Sequence, residues 1–274
     1  MTDKQEWQGR VGSSWAEQWQ RTDRSFAALT QRLVEVILAL DNQRSIVDIG
    51  CGAGELSIML ATAKPHANVL GLDISADLID AAIARSSINS NLSFAVADAA
   101  QWRDAAFAPD LYMSRHGVMF FDEPVAAFAN LAGVAAPKAR LVFSCFRSAA
   151  ENDWASQIAG LLPASPAADP HAPGPFAFAD PEHVRDVLSQ SGWSDIAFEA
   201  VDFDYIAGQG DDPVSDAMDF FAQIGPAARA IRTLDGDTRT AFLNQLRALA
   251  HEHMNGDAVR FAAAAWIVTA QKPV

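Results

Sequence analysis

The chain has 274 residues, half of them hydrophobic, and a formal net charge of −14. This length fits one large domain, or one domain with a sizeable insertion. The charge argues against nucleic acid and anionic membranes as partners, because both require a basic face. No apolar run reaches the roughly 18 residues of a membrane-spanning helix. The polar N-terminus does not resemble a signal peptide, so we expect a cytoplasmic protein.

Two helices are predicted first along the chain. Ser14 and Glu17 have the spacing of a capping box, which predicts that Ser14 begins a short helix. Trp15 and Trp19 would then lie on one face of that helix, four residues apart. An apolar stripe predicts a second helix over residues 25–40.

A glycine-rich turn follows the first predicted strand. The apolar run 45–49 includes Asp48 and leads into Gly50, Gly52 and Gly54, after which a helical pattern begins. This order predicts a buried strand, a tight turn and a helix start. Glycines there allow a sharp turn and let a ligand approach without a Cβ in its way. The pattern predicts an adenosine-type cofactor at the carboxyl end of this strand.

The spacing of these glycines disfavours a dinucleotide. It does not match G-x-G-x-x-G, the pattern that places helix amides against a pyrophosphate. Glu55, in the first helical turn, would repel a pyrophosphate. Asp48 would suit an amino group better than a phosphate. A nucleoside that carries an amine therefore fits better than NAD.

The remainder of the chain alternates between strands and helices. Further strands are predicted at 67–74, 92–97, 110–114, 140–146, 196–205 and 262–270. Such alternation indicates an α/β fold with a parallel sheet and helices on both faces. The stretch 162–179 is predicted to be a Pro-rich loop, and helices inserted between the last two strands are expected to shape a substrate site.

Two further acids end the next strands. Asp73 closes the second strand, where a carboxylate can accept both ribose hydroxyls. Asp98 closes the third strand, where it can accept from an adenine amine while the Ala99 amide serves a ring nitrogen. One acid at each of three successive strand ends is more specific than any one alone.

These motifs resemble the class I S-adenosylmethionine-dependent methyltransferases. Residues 47–54 are similar to the first motif of that family, 71–75 to the second and 97–99 to the third. The segment 114–121 resembles the fourth-strand region of a bacterial subgroup that acts on small molecules. The resemblance covers about residues 44–148. It departs from the family at 136–139, where the usual Pro-Gly-Gly before strand five is missing.

The resemblance implies a doubly wound, Rossmann-like sheet of seven strands in the order 3-2-1-4-5-7-6, with strand seven antiparallel and a helical insertion forming a cap. It implies an N-terminal helical lid at 1–43, a core of 44–205 and 258–274, and a cap at 206–257. The cofactor would be S-adenosylmethionine, with S-adenosylhomocysteine as product.

Family roles can be assigned to individual residues. Asp48, Gly50 and the Ser114 backbone would hold the methionyl amine, and Ile74 would cover an adenine face. The implied cofactor-binding set is Asp48, Gly50, Cys51, Gly52, Gly54, Asp73, Ile74, Asp98, Ala99, Ser114, Trp15 and Trp19. Core packing is an equally open role for the two tryptophans.

The catalytic candidates follow the fourth strand. His116 is a candidate general base, since its ordinary pKa suits proton removal near neutrality; it could instead bond a loop carbonyl or orient the substrate. Arg115 could hold a substrate carboxylate or pair with a nearby acid. Cys51 and Cys145 would lie two strand spacings apart, about 9.6 Å, too far for a disulfide. No metal site is predicted.

The sequence thus predicts methyl transfer to a small molecule, with an oxygen acceptor favoured on account of His116. Three alternatives remain: a protein or RNA methyltransferase, a protein that binds the cofactor without turnover, and an NAD-dependent oxidoreductase. Acidity and the enclosing cap disfavour the first of these, and glycine spacing disfavours the last.

Overall fold

The computed structural model of the chain describes residues 4–86, 89–104, 106–163 and 169–274. Residues 1–3 of the predicted lid and 164–168 of the predicted Pro-rich loop lie outside these described residues. Three helices come first: α1 (Lys4–Gln8), α2 (Arg10–Glu17) and α3 (Trp19–Leu38).

The strands and helices then alternate. The strands are β1 (Ser45–Ile49), β2 (Asn68–Asp73), β3 (Leu92–Val96), β4 (Leu111–Arg115), β5 (Arg140–Phe146), β6 (Ser194–Gln209), β7 (Met254–Asn255) and β8 (Ala258–Gln271). The helices are α4 (Glu55–Ala63), α5 (Ala76–Arg85), α6 (Pro124–Val134), α7 (Asp153–Gly160), α8 (Pro181–Gln190), α9 (Pro213–Gln223), α10 (Gly225–Thr233) and α11 (Gly236–Glu252). Two 3₁₀ turns follow β4 and β5, at Val118–Phe120 and Ala149–Glu151.

The sheet has the order β3-β2-β1-β4-β5-β8-β6. Strands β1 to β5 pair in parallel, whereas β8 runs antiparallel to both β5 and β6. With β8 as the predicted strand seven, this confirms the predicted order. The two-residue β7, which pairs with β8, was not predicted.

The core lies on both faces of the central strands. Almost every side chain of β1, β4 and β5 is buried, as expected for parallel strands covered by helices. Cys51 and Cys145 are buried and unpaired. No helix in the described ranges has the length and apolarity to cross a membrane.

Capping residues explain where several helices begin. The Ser75 hydroxyl accepts from the Leu78 amide at the start of α5. The Asp180 carboxylate accepts from the Glu182 amide at the start of α8. These contacts satisfy amides that have no partner within the helix. The capping box predicted at Ser14 is wrong.

Ser14 lies inside α2 instead, and α3 starts at Trp19 after a break at Gln18. Trp15 and Trp19 therefore belong to different helices. Helix α3 begins at Trp19, six positions before the start of the predicted helix over residues 25–40. Periodicity failed here because neither the end of α2 nor the start of α3 has a side-chain cap.

The insertion between β6 and β8 holds three helices, α9 to α11. It begins later than predicted, because β6 continues to Gln209 rather than ending at Tyr205. The Asp216 carboxylate on α9 accepts from Arg21 Nε and Arg24 Nη1 of α3, each at 2.7 Å. These ion pairs join the N-terminal helices to the inserted helices across the sheet edge.

Candidate active site

A cavity of about 1120 Å³ lies at the carboxyl ends of the parallel strands. Side chains of the N-terminal helices, the strand ends and the insertion line it. The predicted site residues that line it are Trp15, Trp19, Asp48, Gly50, Cys51, Gly52, Asp73, Ile74, Asp98, Ala99, Arg115 and His116. Gly54 and Ser114 do not belong to this lining. The topology thus brings together groups from three successive strand ends.

The glycine turn is built for close approach on two sides. Gly50 has φ +63°, and a Cβ there would lie 2.9 Å from the Gly117 Cα. Gly52 has φ +55°, and a Cβ there would meet no atom within 4 Å. The first glycine is therefore required by the neighbouring chain segment after β4. The second leaves open space on the cavity side, where a ligand can lie against the backbone.

Asp48 has one satisfied and one unsatisfied carboxylate oxygen. Its Oδ2 accepts from the Ser57 hydroxyl at 2.6 Å. Its Oδ1 is buried and has no hydrogen-bond partner among the described residues. Burial raises the pKa of this carboxyl to about 7, against the opposing effect of the Ser57 hydrogen bond. A cationic amine at Oδ1 would complete the site and restore the ionised carboxylate.

Asp73 is held by the turn that it faces. Its Oδ2 accepts from the Gly52 amide and its Oδ1 from the Ser75 amide, both at 2.9 Å. Burial raises the pKa of the Asp73 carboxyl, and these two hydrogen bonds oppose the shift. A carboxylate has about four lone-pair sites, so capacity remains for the two hydroxyls of a ribose.

Asp98 already has a partner from the N-terminal helices. The Lys4 ammonium lies 2.5 Å from its Oδ2, and the Ala100 amide donates to its Oδ1. The Ala99 amide makes no hydrogen bond to another described residue. Ala99 and Asp98 thus offer a donor and an acceptor side by side, with Lys4 competing for the acceptor.

Gly54 and Ser114 have structural positions next to the cavity. A Cβ at Gly54 would lie 2.8 Å from Phe94 Cζ, so this glycine allows α4 to approach β3. The Ser114 hydroxyl donates to the Ile49 carbonyl at 2.7 Å and accepts from the Gly117 amide. It braces β1 against the chain after β4, and so fixes the position of the glycine turn.

Arg115 pairs with acids of the chain, one of the two roles left open by the sequence. Its Nη1 contacts the Glu55 carboxylate, and its Nη2 lies 3.5 Å from Asp23 Oδ1. Glu55 faces Arg115 and does not line the cavity. The Arg115 guanidinium compensates the negative charge of Glu55. Repulsion by Glu55 is therefore a weaker argument against a pyrophosphate than the sequence predicted.

Asp23 was not predicted as a site residue. This residue of α3 also pairs with Arg85 at 2.6 Å, and Arg85 donates to the Ala53 carbonyl of the glycine turn. The Arg85 guanidinium lies 3.7 Å from the centre of the Trp19 ring. Asp23 therefore connects the N-terminal helices to the turn, through contacts between residues far apart in sequence.

His116 is buried, with φ +60°. Its ring stacks on Phe146 with centroids 4.1 Å apart. Both ring nitrogens are buried without a hydrogen-bond partner in the described ranges. Burial, and secondarily the positive charge of Arg115, lower the pKa of His116 to about 3. With this lowered pKa the imidazole is neutral at physiological pH, and it is a weaker base than a histidine with its ordinary pKa.

An aromatic wall continues from His116 into the cavity. Its members come from α3, the end of β4, β5, α7, the loop before α8, and β6. We define the wall as Phe26, His116, Phe146, Trp154, Phe176 and Tyr205. Adjacent ring centroids lie 4.1 to 6.1 Å apart, which is the range of favourable ring contacts. Sequence periodicity indicated Phe26 as a core residue, but gave no signal for the wall as a whole.

The geometry defines a class of protein. The order β3-β2-β1-β4-β5-β8-β6, the glycine turn after β1 and the acids at the ends of β1, β2 and β3 are those of a class I S-adenosylmethionine-dependent methyltransferase fold. Residues 46–138 match the family described as methyltransferase domain. The chain therefore contains a methyltransferase domain of this class.

Known relatives share this part of the chain. A trans-aconitate 2-methyltransferase of Methylobacterium radiotolerans is 35% identical over 98 residues, which cover 36% of each protein. A malonyl-[acyl-carrier protein] O-methyltransferase of Hahella chejuensis is 30% identical over 121 residues, or 43% of each. The matched segments thus span less than half of these relatives.

Likeness to a solved structure extends over most of the chain. Magnesium protoporphyrin IX methyltransferase of Synechocystis, solved with S-adenosylhomocysteine bound, superposes with a TM-score of 0.51. The match covers 93% of each chain at 17% sequence identity. At this identity the likeness shows the shared fold.

Proposed function

We propose that the protein transfers a methyl group from S-adenosylmethionine to a small molecule, with oxygen as the acceptor atom. The observation that carries this proposal is the convergence of Asp48, Asp73 and Asp98 on one cavity beside the open backbone of Gly52. The unsatisfied Asp48 Oδ1 suits the ammonium of the cofactor, which a dinucleotide lacks. We also propose that 1–43 acts as a lid and that the insertion after β6, 210–257, acts as a cap over the core.

The cofactor would supply an electrophilic methyl, whose bond to sulfur breaks with the electron pair remaining on sulfur as the acceptor oxygen forms its new bond. The residues of the chain align and desolvate the reactants. Asp48 would hold the amine, Asp73 the ribose, and Asp98 with the Ala99 amide the adenine edge, covered by Ile74. Trp15 and Trp19 would close over the methionyl end.

The acceptor would arrive against His116 and the aromatic wall. A neutral His116 is suited to donating or accepting one hydrogen bond that orients the acceptor. A carboxylate oxygen is ionised at neutral pH and needs no base. The names of the two relatives, an aconitate and a malonyl methyltransferase, support an oxygen acceptor of this kind.

Binding and transfer test the proposal separately. Calorimetry should show that S-adenosylhomocysteine binds and NAD does not. Asp73→Ala should weaken that binding by about 1–3 kcal/mol through the loss of charged hydrogen bonds. Asp80→Ala is the matched control, because Asp80 is an exposed residue of α5 that does not line the cavity.

Transfer is then measured with methyl-labelled S-adenosylmethionine. Small carboxylates, hydroxyl compounds and amines are compared with protein and RNA fractions, and the product is identified by mass spectrometry. Label on protein or RNA would favour the macromolecular alternative. Tight cofactor binding with no labelled product from any acceptor would favour a binding protein without turnover. Tight NAD binding would contradict the proposal.

A further inference from the structure

The cavity has room for more than the cofactor. Small-molecule sites are commonly about 300–1,000 Å³, and this cavity measures about 1120 Å³. The cofactor groups named above are held at the ends of β1, β2 and β3. The aromatic wall lies at the ends of β4, β5 and β6, next to the contact between Gly117 and Gly50. A second compartment therefore adjoins the proposed position of the methyl group.

The aromatic wall favours a flat apolar body in this compartment. Trp154 stacks on Tyr205 with centroids 5.3 Å apart and an interplanar angle of 20°. Phe146 contacts both Trp154 and His116. Burial raises the pKa of the Tyr205 hydroxyl far above its ordinary value, so it stays neutral. Stacked rings gain most from a planar ligand, whose faces they can cover.

Besides Arg115, three exposed arginines line the same cavity. Arg10 comes from α2, and Arg229 and Arg232 come from α10, which packs against α7, the helix of Trp154. We call Arg10, Arg229 and Arg232 the arginine cluster. The pKa of Arg232 is lowered by burial, and then by the positive charges of Arg10 and Arg229. Such mutual repulsion is unexpected in a chain with 34 acidic and 20 basic residues.

The arginine cluster has little internal compensation. Arg229 and Arg232 form no ion pair with any residue that the structure describes, and Arg10 lies 3.7 Å from the Glu6 carboxylate. Glu6 also faces Arg232 and raises its pKa, while Asp169 lines the same cavity. Three guanidinium groups near the Glu6 carboxylate leave a local excess of positive charge, which an anionic ligand can neutralise.

We infer that the second compartment binds a small organic anion, whose planar apolar body packs on the aromatic wall and whose carboxylate, sulfonate or phosphate group is bound by the arginine cluster. This inference deepens the proposed function by naming the chemical class of the acceptor. It requires an aromatic or conjugated molecule with an anionic group remote from the methylated atom.

Two fluorescent probes test the inference with a matched pair of ligands. The anionic probe 8-anilinonaphthalene-1-sulfonate and the neutral N-phenyl-1-naphthylamine share one aromatic body and differ in the sulfonate. Each is titrated into the full chain, with and without saturating S-adenosylhomocysteine. The variant is R229Q/R232Q, and the control is R239Q/R247Q, which removes two exposed charges from α11 outside the cavity.

We expect the anionic probe to bind one site on the unmodified protein. Its Kd should rise at least about tenfold in R229Q/R232Q, the effect of losing a charged hydrogen bond, and by less than about twofold in R239Q/R247Q. The Kd of the neutral probe should be the same in all three proteins. Added salt should weaken the anionic probe and leave the neutral one unchanged.

Other outcomes would overturn the inference. These are no saturable binding of the anionic probe, an unchanged Kd in R229Q/R232Q, or equal weakening of both probes. A loss of S-adenosylhomocysteine affinity in R229Q/R232Q would assign the arginines to the cofactor carboxylate instead. If S-adenosylhomocysteine binds neither the unmodified protein nor the variants, the proposed function fails. The probe titrations without S-adenosylhomocysteine still show whether the arginine cluster binds an anion.

Discussion

Asp48 combines full burial with a carboxylate oxygen that has no hydrogen-bond partner among the described residues, and we expect this to make cofactor binding sensitive to pH. In the free protein its pKa is about 7, so the carboxyl is largely protonated in mild acid. An ammonium can pair only with the ionised form, and binding must then release a proton. The residue thus links the protonation of the site to its occupancy.

We therefore expect the affinity for S-adenosylhomocysteine to rise by about tenfold per pH unit below pH 7 and to level off above it. Without ligand, the folded state holds this proton more tightly than the unfolded chain. The contribution of Asp48 to the free energy of unfolding should therefore fall as pH rises from about 4 to 7. Calorimetry across this range measures the first effect. In Asp48→Asn the affinity for S-adenosylhomocysteine should no longer change with pH below 7. If it still does, another group causes the pH dependence.

His116 has the opposite sign, because its pKa is lowered in the folded protein to about 3. Between pH 3 and about 6.5 the unfolded chain binds the proton and the folded chain does not. The stabilisation is complete above pH 6.5 and is lost as pH falls. We expect the urea midpoint of the wild type to fall more steeply with acid than that of His116→Asn. Asparagine is the suitable replacement because it tolerates φ +60°.

The same variant tests the predicted general base. With a pKa of about 3, His116 should give no inflection in the pH profile of methyl transfer near neutrality. We expect His116→Asn to change the rate by less than about tenfold at neutral pH, which is below the usual contribution of a general base. A loss of about a hundredfold or more, with S-adenosylhomocysteine affinity unchanged, would restore the role of a base.

At the scale of elements, one partly buried acid links α3 to α5 and to the end of β4. Asp23 pairs with Arg85 and Arg115, and these three side chains are 16 to 17% exposed. We expect Asp23→Asn to lower the free energy of unfolding by about 1–3 kcal/mol, since two guanidinium groups lose a charged partner. Arg85 keeps its contacts with Ala53 and Trp19, which limits the loss. Urea unfolding measures it.

Glu199→Gln is the matched control for this prediction. Glu199 on β6 pairs with Arg32 of α3 at 2.6 Å, but both side chains are more than 40% exposed. An exposed pair contributes little to stability, because water and salt screen its charges. If Asp23→Asn and Glu199→Gln lower the free energy of unfolding equally, Asp23 acts only as a surface charge and does not anchor α3.

The elements that were predictable are those with local signals. The signals for β1 and for the glycine turn after it depend on neighbouring residues alone, and both elements agree with prediction. The start of α3 was not predicted, because a helix break at Gln18 has no capping side chain to mark it. Asp23 and Arg85 are 62 positions apart, so only the tertiary fold brings them together. The same holds for the aromatic wall, which combines six separate segments.

At the scale of the whole molecule, the arginine cluster contrasts with the rest of the chain. The cluster lines the cavity, whereas the chain as a whole has a net charge of −14. Screening confines the attraction of the cluster to about 8–10 Å at moderate salt. A small anion that enters the cavity comes within that distance. The three arginines are exposed, but a polyanion too large to enter also meets the excess of acidic residues over the chain as a whole.

We therefore expect the protein to ignore nucleic acid while binding the anionic probe. A labelled single-stranded RNA of about 20 nucleotides should show no rise in fluorescence anisotropy with protein at about 10 µM and about 50 mM salt, where non-specific electrostatic binding is strongest. Unlabelled RNA should not displace 8-anilinonaphthalene-1-sulfonate from the cavity. Binding that weakens with added salt would reveal a phosphate-binding surface and revive RNA as the acceptor. The R229Q/R232Q variant then separates the two sources of such binding: a loss of RNA affinity would place the phosphates at the arginine cluster, and an unchanged affinity would place them elsewhere on the surface.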